Sequence, residues 1–213
     1  MPTFSDFRLG ADVVASDGGK VGTLVSVIVA EDGFDARSLV VRELGSFAGR
    51  LRAAESLYVT DEVVIPIAAV ESATHDLVRL SMSGVDIRRQ PVYLSYRRKP
   101  LTVGEAALED ADILTGNIAM PNVEEIARKG QAEIEIDRGE NVMLGKTGHR
   151  LGRVHDVLFD KGELIGVVIR PDGFFKRDVV LPIGFIDRAD DMALFAHLDE
   201  SDVQHLKPFI DAE

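Results

Sequence analysis

Short apolar runs punctuated by turn residues set the rhythm of this chain. VGTLVSVIV (21–29), SLVVREL (38–44), EVVIPIAAV (62–70) and DLVRLSM (76–82) are rich in Val and Ile and bounded by Gly, Asp and Ser. That is strand composition with strand punctuation. A second group follows: NVMLGK (141–146), RLGRVHDVLFD (150–160), LIGVVIRP (164–171), RDVVLPIGFI (177–186) and MALFAHL (192–198). Both groups predict closely spaced antiparallel strands, which favours a small barrel over an open sheet.

The second group restates the first. GGKVGTLVSVIVA (18–30) aligns with GHRLGRVHDVLFD (148–160), and VVIPIAAV (63–70) aligns with VVLPIGFI (179–186), proline on proline. Asp17-Gly18 and Thr147-Gly148 supply the positive φ that a tight hairpin needs. Gly22 and Gly152 each interrupt an apolar run, which predicts a bulge or a close backbone approach. Pro66 and Pro182 cannot donate to a ladder and belong at a strand end, a bulge or an edge. The copies differ between their second and third matched strands, where 45–62 is long and 172–177 is short, as a surface loop allows. Ala53–Leu57 in the longer loop has the composition of a helical turn.

The segment 84–132 reads differently and has no evident copy. VYLSY (92–96) predicts a strand. TVGEAALEDADIL (102–114) opens with the capping-box pair Thr102 and Glu105, and VEEIARK (123–129) precedes Gly130, so two short helices are expected. Arg88, Arg89, Arg97, Arg98 and Lys99 form a basic cluster ahead of acidic residues from Glu105 to Glu125. Pairing with those acids is the simplest role for the cluster; contact with phosphates is the other.

The Gly-x-x-(Val/Leu)-Gly pattern of 18–22 and 148–152, leading into an apolar strand and followed by an apolar-apolar-Pro-Ile strand, resembles the PRC-barrel family. That family is named for the soluble domain of the photosynthetic reaction centre H subunit, and it includes the C-terminal domain of a ribosome maturation factor. The resemblance covers both units and not the segment between them. It implies small β-barrels that serve as interaction modules, with no catalytic motif to carry over.

Composition narrows the function further. A formal net charge of −12 opposes sequence-independent nucleic-acid binding, which needs Lys and Arg to displace counterions. With no cysteine there is no disulfide framework and no thiolate nucleophile or ligand. The N-terminus lacks the pattern of a signal peptide, and no stretch approaches the ~18 apolar residues that span a bilayer. A cytoplasmic location is the expectation.

Candidate chemistry is sparse. His75, His149, His155, His197 and His205 are scattered. His155 and Asp156 are strand neighbours pointing to opposite faces, so both read as partly exposed strand residues rather than a pair. His149 sits in a turn and faces solvent. There is no nucleophile elbow, phosphate loop or calcium loop. The interaction candidates are the loops joining the matched strands: Phe47, Arg50 and Arg52 in the first unit, and Phe174, Phe175, Lys176 and Arg177 in the second. Aromatic and basic side chains dominate binding hot spots.

The expectation is an all-β chain of two tandem small antiparallel β-barrels of PRC-barrel type (7–83 and 133–210) joined by a partly helical linker (84–132). It is a non-enzymatic scaffold or adaptor without cofactor or metal, docking on a larger protein assembly, with self-association an open alternative. A factor for ribosome or RNA maturation is the second reading. A small-ligand protein or enzyme with a site between the barrels is the third, and a deep polar pocket with converging titratable groups would point to it.

Overall fold

The computed structural model describes residues 7–43, 62–98, 123–127, 129–130, 132–160, 163–172, 177–189 and 193–210. The first unit holds β1 (Asp12–Val14), β2 (Lys20–Ala30), β3 (Ala36–Glu43), β4 (Glu62–Pro66), β5 (Val70–Thr74), β6 (Leu77–Leu80) and the one-turn helix α1 (Gly84–Ile87). Then come β7 (Leu94–Arg98), β8 (Val123–Ala127) and β9 (Glu133–Asp137). The second unit holds β10 (Asn141–Leu144), β11 (Arg150–Asp160), β12 (Glu163–Pro171), β13 (Val179–Pro182), β14 (Ile186–Ala189), β15 (Ala193–Ala196), α2 (Glu200–Val203) and β16 (Lys207–Pro208). The chain is mostly β, as its sequence implies.

The two main sheets repeat one topology. The first runs β4-β3-β2-β1-β6-β5, and the second runs β13-β12-β11-β10-β15-β14 with β16 outside β13. Irregularities recur too: the β1–β2 register shifts after Val13 opposite Gly22, and the β10–β11 register shifts after Val142 opposite Gly152. A Cβ on Gly22 would lie 2.0 Å from the Arg42 carbonyl oxygen, and one on Gly152 would lie 2.3 Å from that of Arg170. Both glycines therefore exist for close approach. Gly18 and Gly148 have the positive φ their turns require.

Two expectations change. The sheets are mixed, because β1–β6 and β10–β15 pair in parallel. Nor does either ladder close on itself among the described residues. Pro66 and Pro182 end β4 and β13, as their missing N–H demands, and the chain leaves the ladder in 3-10 turns at Ile67–Ala69 and Ile183–Phe185.

The linker is also corrected. The expected helix at 123–129 is replaced over Val123–Ala127 by β8, which pairs antiparallel with β7 and places Arg97 opposite Glu124 in register. So short a helix pays the full nucleation cost for few hydrogen bonds, whereas a ribbon partner satisfies the backbone outright. The expected helix 102–114 and the turn at 53–57 lie outside the described residues.

Residues 84–93, read as part of the unrepeated segment, do have a counterpart. Ser83 accepts the Asp86 N–H at the start of α1, and Asp199 with Asp202 forms a capping box at the start of α2. Each chain then returns to the fourth strand of its unit: Tyr93 N–H donates to the Glu62 carbonyl at 2.8 Å, and Phe209 N–H to that of Asp178 at 2.7 Å. Tyr93 and Phe209 are thus equivalent positions.

The units interlock. β9 leads into β10 of the second sheet yet pairs with β2 of the first, from Ser26↔Asp137 to Ala30↔Glu133. Conversely, Phe7 leads into β1 of the first sheet and stacks on Phe159 of β11 at 4.6 Å between ring centroids. Asp35 bridges to Glu163, its own counterpart, which is where an approximate two-fold axis would pass. Val27, Leu39, Ile65 and Ile136 join Phe7, Val157, Phe159 and Leu181 in a single hydrophobic core. Burying one continuous core rather than two small ones removes more apolar surface from water.

Candidate functional site

Both crossings between the units turn on a glycine of positive φ, Gly10 (+98°) and Gly139 (+99°), whose N–H groups donate to Leu24 and Val154 carbonyls at 2.8 Å each. Beside each crossing the long strand presents a buried polar residue, Ser26 on β2 and Asp156 on β11. These are equivalent positions, and what they hold differs.

Asp156 is 2% exposed, not partly exposed as its sequence position suggested. Its Oδ1 accepts the N–H groups of Leu9 and Val157 at 2.8 Å each, and the Arg8 guanidinium lies 3.6 Å from Oδ2. Arg8 also stands 4.8 Å over the Phe209 ring. Burial raises the Asp156 pKa against the opposing pull of those N–H donors and Arg8. The carboxylate is thereby committed to holding the Phe7–Leu9 segment on the second unit. His155 is half-buried as expected, its Nδ1 3.7 Å from Asp178, with its pKa lowered chiefly by desolvation.

At the other crossing the polarity is inverted. Ser26 Oγ donates to Glu135 Oε1 at 2.5 Å, and Tyr93 O–H donates to Glu135 Oε2. This triad joins β2, β9 and the return strand after α1. It borders a cleft of about 870 Å³ whose charged lining is Glu62, Glu135, Asp137 and Glu140 with Arg42, Lys129 and Arg138. Arg42 is committed to Glu62 through Nε and Nη2 at 3.1 and 2.9 Å. Arg138 donates from Nε to the His155 carbonyl at 3.0 Å and lays its guanidinium over Gly10. Burial, then the charges of Asp137 and Glu135, push the Glu140 pKa up to about 8. Partial desolvation in the cleft and the charge of Glu135 likewise raise that of Asp137, whose side chain is nonetheless exposed to solvent.

The cleft has the size of a small-molecule site. Two of its hydroxyls, those of Ser26 and Tyr93, both donate to the Glu135 carboxylate. Among the described residues no group of three or more His, Asp or Glu is placed to hold a metal ion.

Of the sequence-based interaction candidates, Phe47, Arg50, Arg52, Phe174, Phe175 and Lys176 lie outside the described residues, and Arg177 is exposed. Sequence reasoning passed over Ser26, Tyr93, Glu135, Asp137 and Glu140. One signal was present: both copies break the apolar run of their longest strand with a polar residue at the same place, Ser26 and Asp156.

The fold thus defines a mostly β protein whose two main sheets share strand order and bulges. Residues 138–197 match the PRC-barrel domain family, which accounts for the second unit. No curated protein matches the chain. Among the described residues no helix is long and apolar enough to cross a membrane.

Proposed function

We propose that the chain is a non-catalytic adaptor that docks onto a larger protein assembly. In this reading residues 7–93 are a diverged second copy of the domain matched at 138–197. The observation that carries it is the contrast between what the copies share and what they do not. Strand order, bulges and close-approach glycines recur, while the polar groups at equivalent places are replaced: Ser26 by Asp156, Val25 by His155, Tyr93 by Phe209. The polar groups at the two crossings, Asp156 with Leu9 and Arg8 and Glu135 with Ser26 and Tyr93, hold the units together, which supports binding over catalysis. The PRC-barrel match supports protein interaction as the role.

The test is affinity capture with the full chain at low salt, alongside a Phe174→Ala/Arg177→Ala variant. The same protein assembly should be retained by the wild type and lost by the variant at unchanged melting temperature. Lost stability with intact capture would make the phenylalanines plugs of the fold instead. Recovery of ribosomal subunits, with RNA affinity falling steeply with salt, would replace the adaptor by the maturation reading.

The cleft beside Glu135 favours a second reading, a small-ligand protein. Its test is melting temperature across a metabolite panel: a saturable rise that Tyr93→Phe reduces supports it, and a flat response removes it.

A further inference from the structure

The two crossings differ in charge balance. At the Phe7–Leu9 crossing one buried carboxylate, Asp156, meets one arginine, Arg8, and two backbone N–H groups. At the β9–β10 crossing Glu135, Asp137 and Glu140 fall within six residues of chain and line one cleft with Glu62 of β4. The cations that face them are largely committed elsewhere. Arg42 of β3 holds Glu62, and Arg138 holds the His155 carbonyl of β11. Lys129, ahead of β9, also lines the cleft, and its charge opposes the rise of the Glu140 pKa. The other groups facing the cluster, Ser26 of β2 and Tyr93, are neutral donors already spent on Glu135.

We propose that the β9–β10 crossing is a proton-controlled latch. While Glu140 of the Glu135–Asp137–Glu140 cluster retains its proton, β9 stays on β2; its ionisation loosens β9 and frees the β2 edge from Ser26 to Ala30. The Phe7–Leu9 crossing, where two backbone N–H groups and Arg8 pull against the burial that raises the Asp156 pKa, responds less to the same change. The raised pKa of Glu140, driven by burial and then by Asp137 and Glu135, places the pH-dependent window between about 4.5 and 8.

Linkage fixes the sign. A carboxyl that binds its proton more tightly in the closed state opposes opening below its closed-state pKa. Opening therefore rises with pH by up to about tenfold per unit and levels off near pH 8. The experiment is amide hydrogen exchange on the full chain from pH 5.5 to 8.5, corrected for intrinsic rate. Protection of the Ile134 and Ile136 amides should fall several-fold per pH unit in the wild type, while Val167 and Ile169 of β12 hold theirs. Glu140→Gln should flatten the response of β9 and leave β12 unaltered. Protection of β9 independent of pH, or an equal loss in wild type and Glu140→Gln, would overturn the latch. Asp137→Asn gives a second reading of the same slope should Glu140→Gln fold poorly.

Discussion

The same backbone is fastened at two equivalent places by opposite chemistry. On the second unit a carboxylate from the long strand, Asp156, reaches across to the visiting segment and takes Leu9 N–H and Arg8. On the first unit the carboxylate comes from the visiting strand, as Glu135, and the resident residues Ser26 and Tyr93 supply hydroxyls. The difference teaches that the two crossings share a requirement, a polar tie where a foreign strand meets the sheet, and that its chemical form is free. A lone buried carboxylate needs donors on all sides. Asp156 has backbone N–H groups and Arg8, while Glu135 takes two hydroxyls and lies beside further carboxylates.

The comparison breaks most completely at what the units share. Gly22→Ala should be the most damaging substitution, because its Cβ would sit 2.0 Å from a β3 carbonyl oxygen that no rotamer change relieves. A loss of about 4 kcal/mol is expected, at the upper end for single substitutions. Gly152→Ala, at 2.3 Å from its own carbonyl, should behave alike. Urea unfolding of both variants measures this, and a loss under about 1 kcal/mol would show that the sheets tolerate wider spacing there.

Next in size is the tie itself. Asp156→Ala strands the buried Leu9 N–H and takes from Arg8 its carboxylate, at a cost of about 3 kcal/mol. Asp156→Asn keeps an acceptor for Leu9 and removes a charge that burial disfavours, so it should cost clearly less. Ser26→Ala, the equivalent change in the first unit, should cost about 1 kcal/mol, since Glu135 retains Tyr93. Equal losses for Ser26→Ala and Asp156→Ala would erase the asymmetry drawn here.

This asymmetry marks how far the sequence could be read. The Val- and Ile-rich runs, the Asp17-Gly18 and Thr147-Gly148 turns and the two prolines are local features with local causes, and the structure places each where its chemistry demands. The copy of 84–93 in 200–209 was hidden because a capped single turn and a short edge strand are kept by backbone geometry, which Ser83 and Asp199 satisfy with different side chains. The destination of β9 was hidden for another reason. Its alternation EIEID reads as a strand, but the identity of its partner depends on Gly139 turning the chain at positive φ toward the other sheet. The Ser26–Glu135–Tyr93 triad unites residues from three distant parts of the chain, and no spacing rule reaches that far.

The carboxylate-rich crossing should also mark the pH dependence of stability. Glu140 carries its proton to about pH 8 in the folded chain and to about 4.5 when unfolded. The stability it contributes is therefore full below about pH 4.5 and is lost as pH rises to 8. Glu140→Gln should be more stable than wild type at pH 8.5 by about 2 kcal/mol, discounted for partial exposure. At 2–4 °C per kcal/mol for a chain of this size, that is roughly 4–8 °C in melting temperature. The difference should shrink steadily toward pH 5. A constant difference across that range would mean that the substitution acts through packing and not through the proton.

The smallest expected effect tests whether the units' outer edges differ at all. Arg42 grips Glu62 and Arg170 grips Asp178 at equivalent positions, each arginine using Nε and Nη2. Both arginines are about two-thirds exposed, 63% and 64%, so solvent screens most of the attraction. The difference between the pairs lies in the neighbours. Asp178 has His155 at 3.7 Å as a second basic group, whereas Glu62 shares its cleft with three more carboxylates. Double-mutant cycles should give about 0.5 kcal/mol or less for Arg42–Glu62 and up to about 1 kcal/mol for Arg170–Asp178. Below the pKa of His155, which desolvation lowers from its usual value, the second pair meets a competing cation, so its coupling should weaken once acidification passes that point. The first pair should instead hold its coupling as its carboxylate neighbours take up protons. Identical pH profiles for the two cycles would place the asymmetry of the units wholly in their buried ties.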